Sequence, residues 1–195
     1  MDPVELVAAL VSAIAVWLTT TRSALCWPVG LLSVLLYGYI FIGARLYSDA
    51  LLQGIYAGLE LYGWLCWARA RAGLLATATR GATDRLPPVV RPGFRDIAFP
   101  LLAGLLGAVL LGLLTSTYTD AALPWTDAVL TGLSLVAQYW MARLYRINWL
   151  LWIAVDVVYV GVYVSRGLGV TAALYAAFLV LAALGWHRWG RASIR

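Results

Sequence analysis

Long apolar runs, each interrupted by a short polar or arginine-bearing stretch, recur along the whole chain. The runs lie at roughly 4–20, 24–43, 49–68, 96–115, 124–142, 148–165 and 170–187. Each is close to the ~20 mostly apolar residues that a helix needs to cross a bilayer core. The pattern predicts an all-α membrane protein with seven transmembrane helices. The connections are short except the third. Residues 69–95 hold Arg69, Arg71, Arg80, Arg85, Arg91 and Arg95 together with Pro87, Pro88 and Pro92, and read as a solvated basic loop.

Laid over the runs is a second pattern, recurring without a gap 122 positions later. Trp27, Tyr37, Leu46, Leu52, Gly63, Trp64 and Trp67 meet Trp149, Tyr159, Leu168, Leu174, Gly185, Trp186 and Trp189. Upstream, Glu5 meets Asp127, Ser12 meets Ser134 and Trp17 meets Tyr139. Spans one to three therefore resemble spans five to seven. A three-helix unit followed directly by its copy would be inverted in the membrane, and the unmatched fourth span restores the direction. It is smooth, rich in Gly, Ala and Leu, and uncharged from Ile97 to Leu114, which suits a linker facing lipid. The expected architecture is three plus one plus three, with parallel repeats about an axis along the membrane normal and a site between them. The predicted divisions are 1–68 and 124–189 for the repeats, 69–95 for the loop, 96–115 for the linker helix and 190–195 for a tail.

Composition agrees with a lipid environment. The chain is 63% hydrophobic and 12% charged, with a mean hydropathy of +0.85. A soluble domain is about half apolar and a quarter charged. The basic excess is all arginine, set in short loops, so it argues for topology and against nucleic acid. Arg22, the six in 69–95, Arg143, Arg146, Arg188, Arg191 and Arg195 fall on one side, and Arg45 and Arg166 on the other. The positive-inside rule then places the N-terminus outside and the C-terminus in the cytoplasm. The N-terminus lacks the basic stretch of a signal peptide, so the first run is expected to stay as a membrane helix. Cys26 and Cys66 each lie in an apolar segment and read as buried free thiols.

Polar groups inside spans are costly and should face the bundle interior. They are Gln53 and Glu60 on span three, Gln138 on span five, and Asn148 and Asp156 on span six. Trp149, Trp152, Asp156, Tyr159 and Tyr163 are spaced 3, 4, 3 and 4, so they share one helix face. A carboxylate framed by aromatic rings suits a flat organic cation; the competing account is an Asp that fixes helix packing. Asp49, Gln53, Tyr56, Glu60, Gly63 and Trp67 form a like stripe on span three. Gln53 and Tyr56 can bond hydroxyls or an amide, while Glu60 suits either an arginine pair or a gate. Trp64, Trp67, Trp186 and Trp189 read as an interfacial belt, and His187 as an interface residue. Pro28 and Gly30 suit a helix start or a hinge. No motif indicates an enzyme, a cofactor, a metal site or direct ATP coupling.

These residues resemble the Pnu-type vitamin transporters, the family of the nicotinamide riboside transporter PnuC. The resemblance covers nearly the whole length. It is densest in Trp27-Pro28-Val29-Gly30, Leu46-Tyr47-Ser48-Asp49 through Leu52-Gln53, Tyr62-Gly63-Trp64 with Trp67, and Asn148 through Trp152 to Asp156. It implies a fold like that of the SWEET sugar carriers, a homotrimer in the bacterial inner membrane, and facilitated diffusion pulled inward by a cytoplasmic kinase that phosphorylates the substrate. It puts Trp152 and Asp156 at that substrate, helped by Gln53 and Tyr56. The chain departs from the nicotinamide riboside branch in carrying Asp at 156, where that branch is associated with Asn.

The expected function is import of a small-molecule vitamin, nicotinamide riboside first and thiamine as the alternative. Trp152 and Tyr159 would stack on the ring, Asp156 neutralise its charge, and Gln53, Tyr56 and Gln138 bond the hydroxyls. Asn148, Trp149, Glu60 and Tyr163 complete the candidate site. The rivals are a membrane protein without transport, and a proton-coupled carrier using Glu60 or Asp156.

Overall fold

The computed structural model describes residues 3–45, 47–77, 87–119 and 123–192. Leu46, Arg80, Arg85 and Arg195, used above, lie outside the described residues, as do 193–195 of the tail. Among the described residues there are seven helices: α1 (Pro3–Thr20), α2 (Cys26–Gly43), α3 (Tyr47–Thr77), α4 (Phe94–Tyr118), α5 (Pro124–Ala142), α6 (Asn148–Ser165) and α7 (Gly169–Ala192). Five are long and apolar enough to cross a membrane by length and composition alone; α3 and α5 are not. Those two carry polar residues, and their meeting is one of the two places where one half of the molecule touches the other.

Two boundaries differ from the sequence pattern. The basic loop does not begin at 69, because α3 continues through Thr77. Arg69-Ala-Arg-Ala is a strong helix-forming run, and charge alone does not end a helix; Gly and Pro do. The fourth helix begins at Phe94, so Arg95 and Asp96 belong to its first turn, where Asp96 accepts a hydrogen bond from the Gly93 backbone N–H.

Helix direction alternates through short connections, which brings the end of α1, the start of α2, the turn 143–147 and the end of α7 together. Arg22 donates to the Pro87 carbonyl, Val90 N–H to the Leu144 carbonyl and Arg188 to Thr20 Oγ1. Arg146 donates to the Trp186 carbonyl and lies 3.5 Å over its ring. Arg143 bonds Tyr145 and Tyr62, which raises its pKa. This end holds nine of the described arginines; Arg45 and Arg166 lie at the other.

The core of that end is a quartet of tryptophans. Trp27, Trp67, Trp149 and Trp189 are all buried, with no more than 1% of any one exposed. Trp67 and Trp189 are therefore not part of an interfacial belt, as the sequence suggested; Trp64 is exposed at 41%. Trp27 meets Trp67 edge-on at 5.2 Å and 85°, and Trp149 meets Trp189 at 5.5 Å and 87°. Trp27 presses on Gly63 and Trp149 on Gly185, so closely that a Cβ at either glycine would fall within the ring. In lipid, where apolar side chains gain little from leaving their solvent, such small-residue packing is what draws helices together.

The 122-residue offset holds in the structure. Each tryptophan pair and each glycine contact has its counterpart. Arg22 and Leu144 share a positive φ (57° and 61°), as do Arg45 and Gly167 (61° and 71°). The units α1–α3 and α5–α7 meet through α3 with α5 and α1 with α7, again paired by the offset. Trp67 Nε1 donates to the Met141 carbonyl, and Trp189 Nε1 to the Thr19 carbonyl. The helix α4 packs on α5 alone among the described helices. Much of its surface is exposed, as expected of a linker in lipid, but one face is not smooth. Gly104, Ala108 and Gly112 form a stripe of small residues that lets α4 approach Gly132 and receive Trp125.

Adding one methyl at either glycine beneath a tryptophan tests this packing. Gly63→Ala and Gly185→Ala are each expected to cost about 1–3 kcal/mol through overpacking. Thermal unfolding in detergent should show similar drops in midpoint for both, and none for Gly73→Ala, where a Cβ meets open space.

Candidate functional site

Between the two triple-helix units lies a cavity of about 340 Å³, lined by all six of their helices and not by α4. Small-molecule sites run from ~300 to 1,000 Å³. From the first unit come Ala15, Val16 and Thr19 of α1, Cys26 and Trp27 of α2, and Leu52, Gln53, Tyr56 and Glu60 of α3. The second unit supplies Thr131, Ser134, Gln138 and Met141 of α5, Trp149, Trp152, Asp156 and Tyr159 of α6, and Tyr175, Phe178 and Ala182 of α7. Trp27 and Trp149 floor the cavity at the arginine-rich end, with Trp67 and Trp189 packed against them. No basic side chain is among the lining residues, and two carboxylates are.

Eight of the ten candidate residues line this one space: Gln53, Tyr56, Glu60, Gln138, Trp149, Trp152, Asp156 and Tyr159. The other two do not. Asn148 sits wholly buried in the first turn of α6, its Nδ2 donating to the Tyr145 carbonyl at 2.6 Å. Tyr163 lies one turn past Tyr159, stacked on it at 5.8 Å and on Tyr175 at 5.2 Å. The stripe on α6 is a real helix face, but a helix face is longer than the cavity.

Among the described residues no arginine pairs with Glu60. Its Oε1 accepts a hydrogen bond from Gln138 Nε2 at 2.9 Å, joining α3 of one unit to α5 of the other. Its carboxylate lies over Gly30, where a Cβ would come within 2.7–2.8 Å of it. Gly30 is thus a seat for Glu60, a role neither the hinge nor the helix-start reading of Pro28 and Gly30 supplied. Tyr56 of α3 and Ser134 of α5 line the same cavity. Asp156 is 4% exposed beside Trp152 and Tyr159 on the same face. The indole N–H groups of Trp27, Trp149 and Trp152 are buried without an acceptor among the described residues.

The aromatic wall on α7 was not singled out in the sequence. Tyr175 lies 4.6 Å from Tyr159, ring to ring, and Phe178 packs edge-on to Tyr175 at 5.9 Å. A signal was present. Tyr175, Phe178 and Ala182 stand 122 residues after Gln53, Tyr56 and Glu60. The repeat applied to the first stripe yields the second.

A sequence model for a family described as nicotinamide mononucleotide transporter matches residues 2–191. The chain belongs to this family. It is 25% identical over 201 residues to the nicotinamide riboside transporter PnuC of Escherichia coli K12, covering 95% of this chain and 84% of that one. It is 28% identical over 186 residues to the riboflavin/roseoflavin transporter RibM of Streptomyces davaonensis, at 95% and 83% coverage. The crystal structure of the vitamin B3 transporter PnuC superposes with a TM-score of 0.73 at 22% identity, over 97% of this chain and 81% of that chain. At that identity the match establishes the fold, a multi-pass all-α membrane protein.

At the floor of the cavity two indole-to-carbonyl bonds join the units. Cys26, buried at that floor, reports on it once Cys66 is replaced by Ser. Trp67→Phe and Trp189→Phe each remove one such bond, worth about 1 kcal/mol. Each should speed modification of Cys26 by a soluble thiol reagent about five-fold or more, to a similar extent. Unchanged rates would show that the bonds do not hold the floor.

Proposed function

We propose that the chain is an inner-membrane facilitator for nicotinamide riboside. The observation that carries this reading is the site of Asp156: a buried carboxylate, among Trp152, Tyr159 and Tyr175, in a cavity without any basic lining residue. A flat pyridinium cation satisfies both features, the rings by stacking and the charge by pairing. Trp152 Nε1–H, which lacks an acceptor, suits a carboxamide oxygen. Gln53, Tyr56 and Gln138 offer partners to hydroxyls.

The charge of the lining also selects between the riboside and its phosphate. A phosphate monoester brings close to two negative charges at neutral pH, and two lining carboxylates would repel it with no arginine to offset them. The family description names the mononucleotide; the cavity favours the uncharged 5′-hydroxyl form. That preference gives the transporter its direction. Substrate phosphorylated by a cytoplasmic kinase no longer fits the cavity, so it does not return. We assign the arginine-rich end to the cytoplasm on the positive-inside rule, and the N-terminus to the outside. Alternate opening of the two units around the cavity, within a homotrimer, completes the proposal.

Thiamine is the second reading. It is favoured by Asp156 itself, a position that the resemblance associates with Asn in the nicotinamide riboside branch. Riboflavin, neutral and larger, leaves the carboxylate uncompensated.

Equilibrium binding to purified protein decides among them. Nicotinamide riboside is expected to bind at micromolar levels, with nicotinamide mononucleotide at least about ten-fold weaker. Tighter binding of thiamine than of the riboside would move the assignment to the second reading. Asp156→Asn should weaken the cation by about ten- to a hundred-fold, the range for a hydrogen-bonded charge of ~1.5–3 kcal/mol. Proteoliposomes should accumulate label only when loaded with a riboside kinase and ATP.

A further inference from the structure

The two units are not alike at the cavity, and the difference has a shape. In the second unit the position of Gly30 is taken by Trp152 and that of Glu60 by Ala182. Each unit thus has one large and one small residue at these two places, with the large one on opposite helices. In the second unit the large residue is a ring on α6. In the first it is a carboxylate on α3, seated in the hollow over Gly30 and bonded to Gln138. The exchange turns a two-fold related pair of walls into one aromatic wall and one acidic wall.

We propose that Glu60 is a specificity-determining residue that recognises vicinal hydroxyls of a ribosylated ligand, so that the acidic wall fixes which end of the substrate faces which unit. This rests on the vitamin-transport reading above and names a ligand feature that reading leaves open. A carboxylate has about four lone-pair directions over two oxygens. Gln138 Nε2 occupies one of them, on Oε1. The remainder accept from O–H donors, and a cis-diol supplies two at the spacing of the two carboxylate oxygens. The Gln138 bond contributes in a second way. With its N–H engaged by Glu60, the amide is held in one orientation, and its Oε1 remains as a further acceptor. The cation has its counter-charge at Asp156, on the opposite unit, which leaves Glu60 to the hydroxylated part.

Ring and sugar are separated by comparing nicotinamide riboside with 1-methylnicotinamide, which keeps the pyridinium and the carboxamide and has no ribose. Glu60→Gln keeps the size and an acceptor for Gln138 but loses the charge and half the acceptor capacity. It should weaken the riboside about ten-fold or more and 1-methylnicotinamide less than two-fold, as expected for losing charged hydrogen bonds. Asp156→Asn should weaken both ligands alike. A second variant leaves every polar group in place. Gly30→Ala puts a methyl where the carboxylate sits, and the flexible end of Glu60 can move aside, so the fold is preserved while the Gln138 bond is displaced. It should reproduce the selective loss of the riboside. Equal loss of both ligands in Glu60→Gln, or no loss of either, overturns the assignment of Glu60 and leaves the transport reading standing. If the unaltered protein binds neither ligand, the transport reading fails and the role of Glu60 falls with it.

Discussion

Two tryptophans, each pressed on a glycine of a neighbouring helix, set the terms for this structure. Trp27 on Gly63 and Trp149 on Gly185 bring α2 to α3 and α6 to α7 at one end. A bilayer gives little reward for burying one apolar side chain against another, so helices associate where surfaces fit closely. A ring on a bare backbone is such a fit. Once each unit is pinned there, Trp67 and Trp189 are left between the units, 6.0 Å apart, with their N–H groups towards the opposite unit. The carbonyls they find, Met141 and Thr19, lie in the last turns of α5 and α1, where each also accepts from a backbone N–H, that of Leu144 and that of Arg22. The clasp between halves is therefore a consequence of the packing within each half. Above this floor the units are bridged by the Gln138–Glu60 hydrogen bond, and the cavity lies between them.

The same physics explains what could be read from the sequence. Helix count was legible because apolar length answers to the bilayer alone. The repeat was legible because Trp and Gly at fixed offset are the packing contact. Asp156, Gln53 and Gln138 stood out because any polar group in a span needs a reason. What was not legible falls on residues whose chemistry fits lipid and cavity equally well. Tyr175, Phe178 and Ala182 are unremarkable in an apolar helix, and only the position of α6 beside them reveals the face they form. Trp67 and Trp189 erred the other way: tryptophan near a helix end is usual at an interface, and nothing local distinguishes one turned inward. The extension of α3 to Thr77 was missed because arginine was taken as a sign of loop, whereas Arg and Ala both favour helix.

Asn148 marks the limit of arguing from polarity. It was grouped with the substrate face because it is polar and adjacent to Trp149. In the fold it is the repeat counterpart of Cys26, buried at the turn before α6, and it bonds the backbone of that turn through Tyr145. A buried polar residue at a helix start can bond the backbone of the adjoining turn, so its polarity alone does not place it at a ligand.

Duplication gives a carrier two similar halves, and similar halves around an axis make a cavity whose opposite walls match. A substrate with two unlike ends is poorly served by matching walls, since it could bind either way round. The cavity here departs from symmetry where that ambiguity would matter. Tyr175 stands against Gln53, Phe178 against Tyr56, and Ala182 against Glu60. The floor and the clasp, whose work is mechanical, keep the match: Trp27 with Trp149, Trp67 with Trp189, Thr19 with Met141 as acceptors. Symmetry survives where the two halves pack on each other and is lost along the upper walls of the cavity. Packing residues and recognition residues are thereby separated without reference to any ligand.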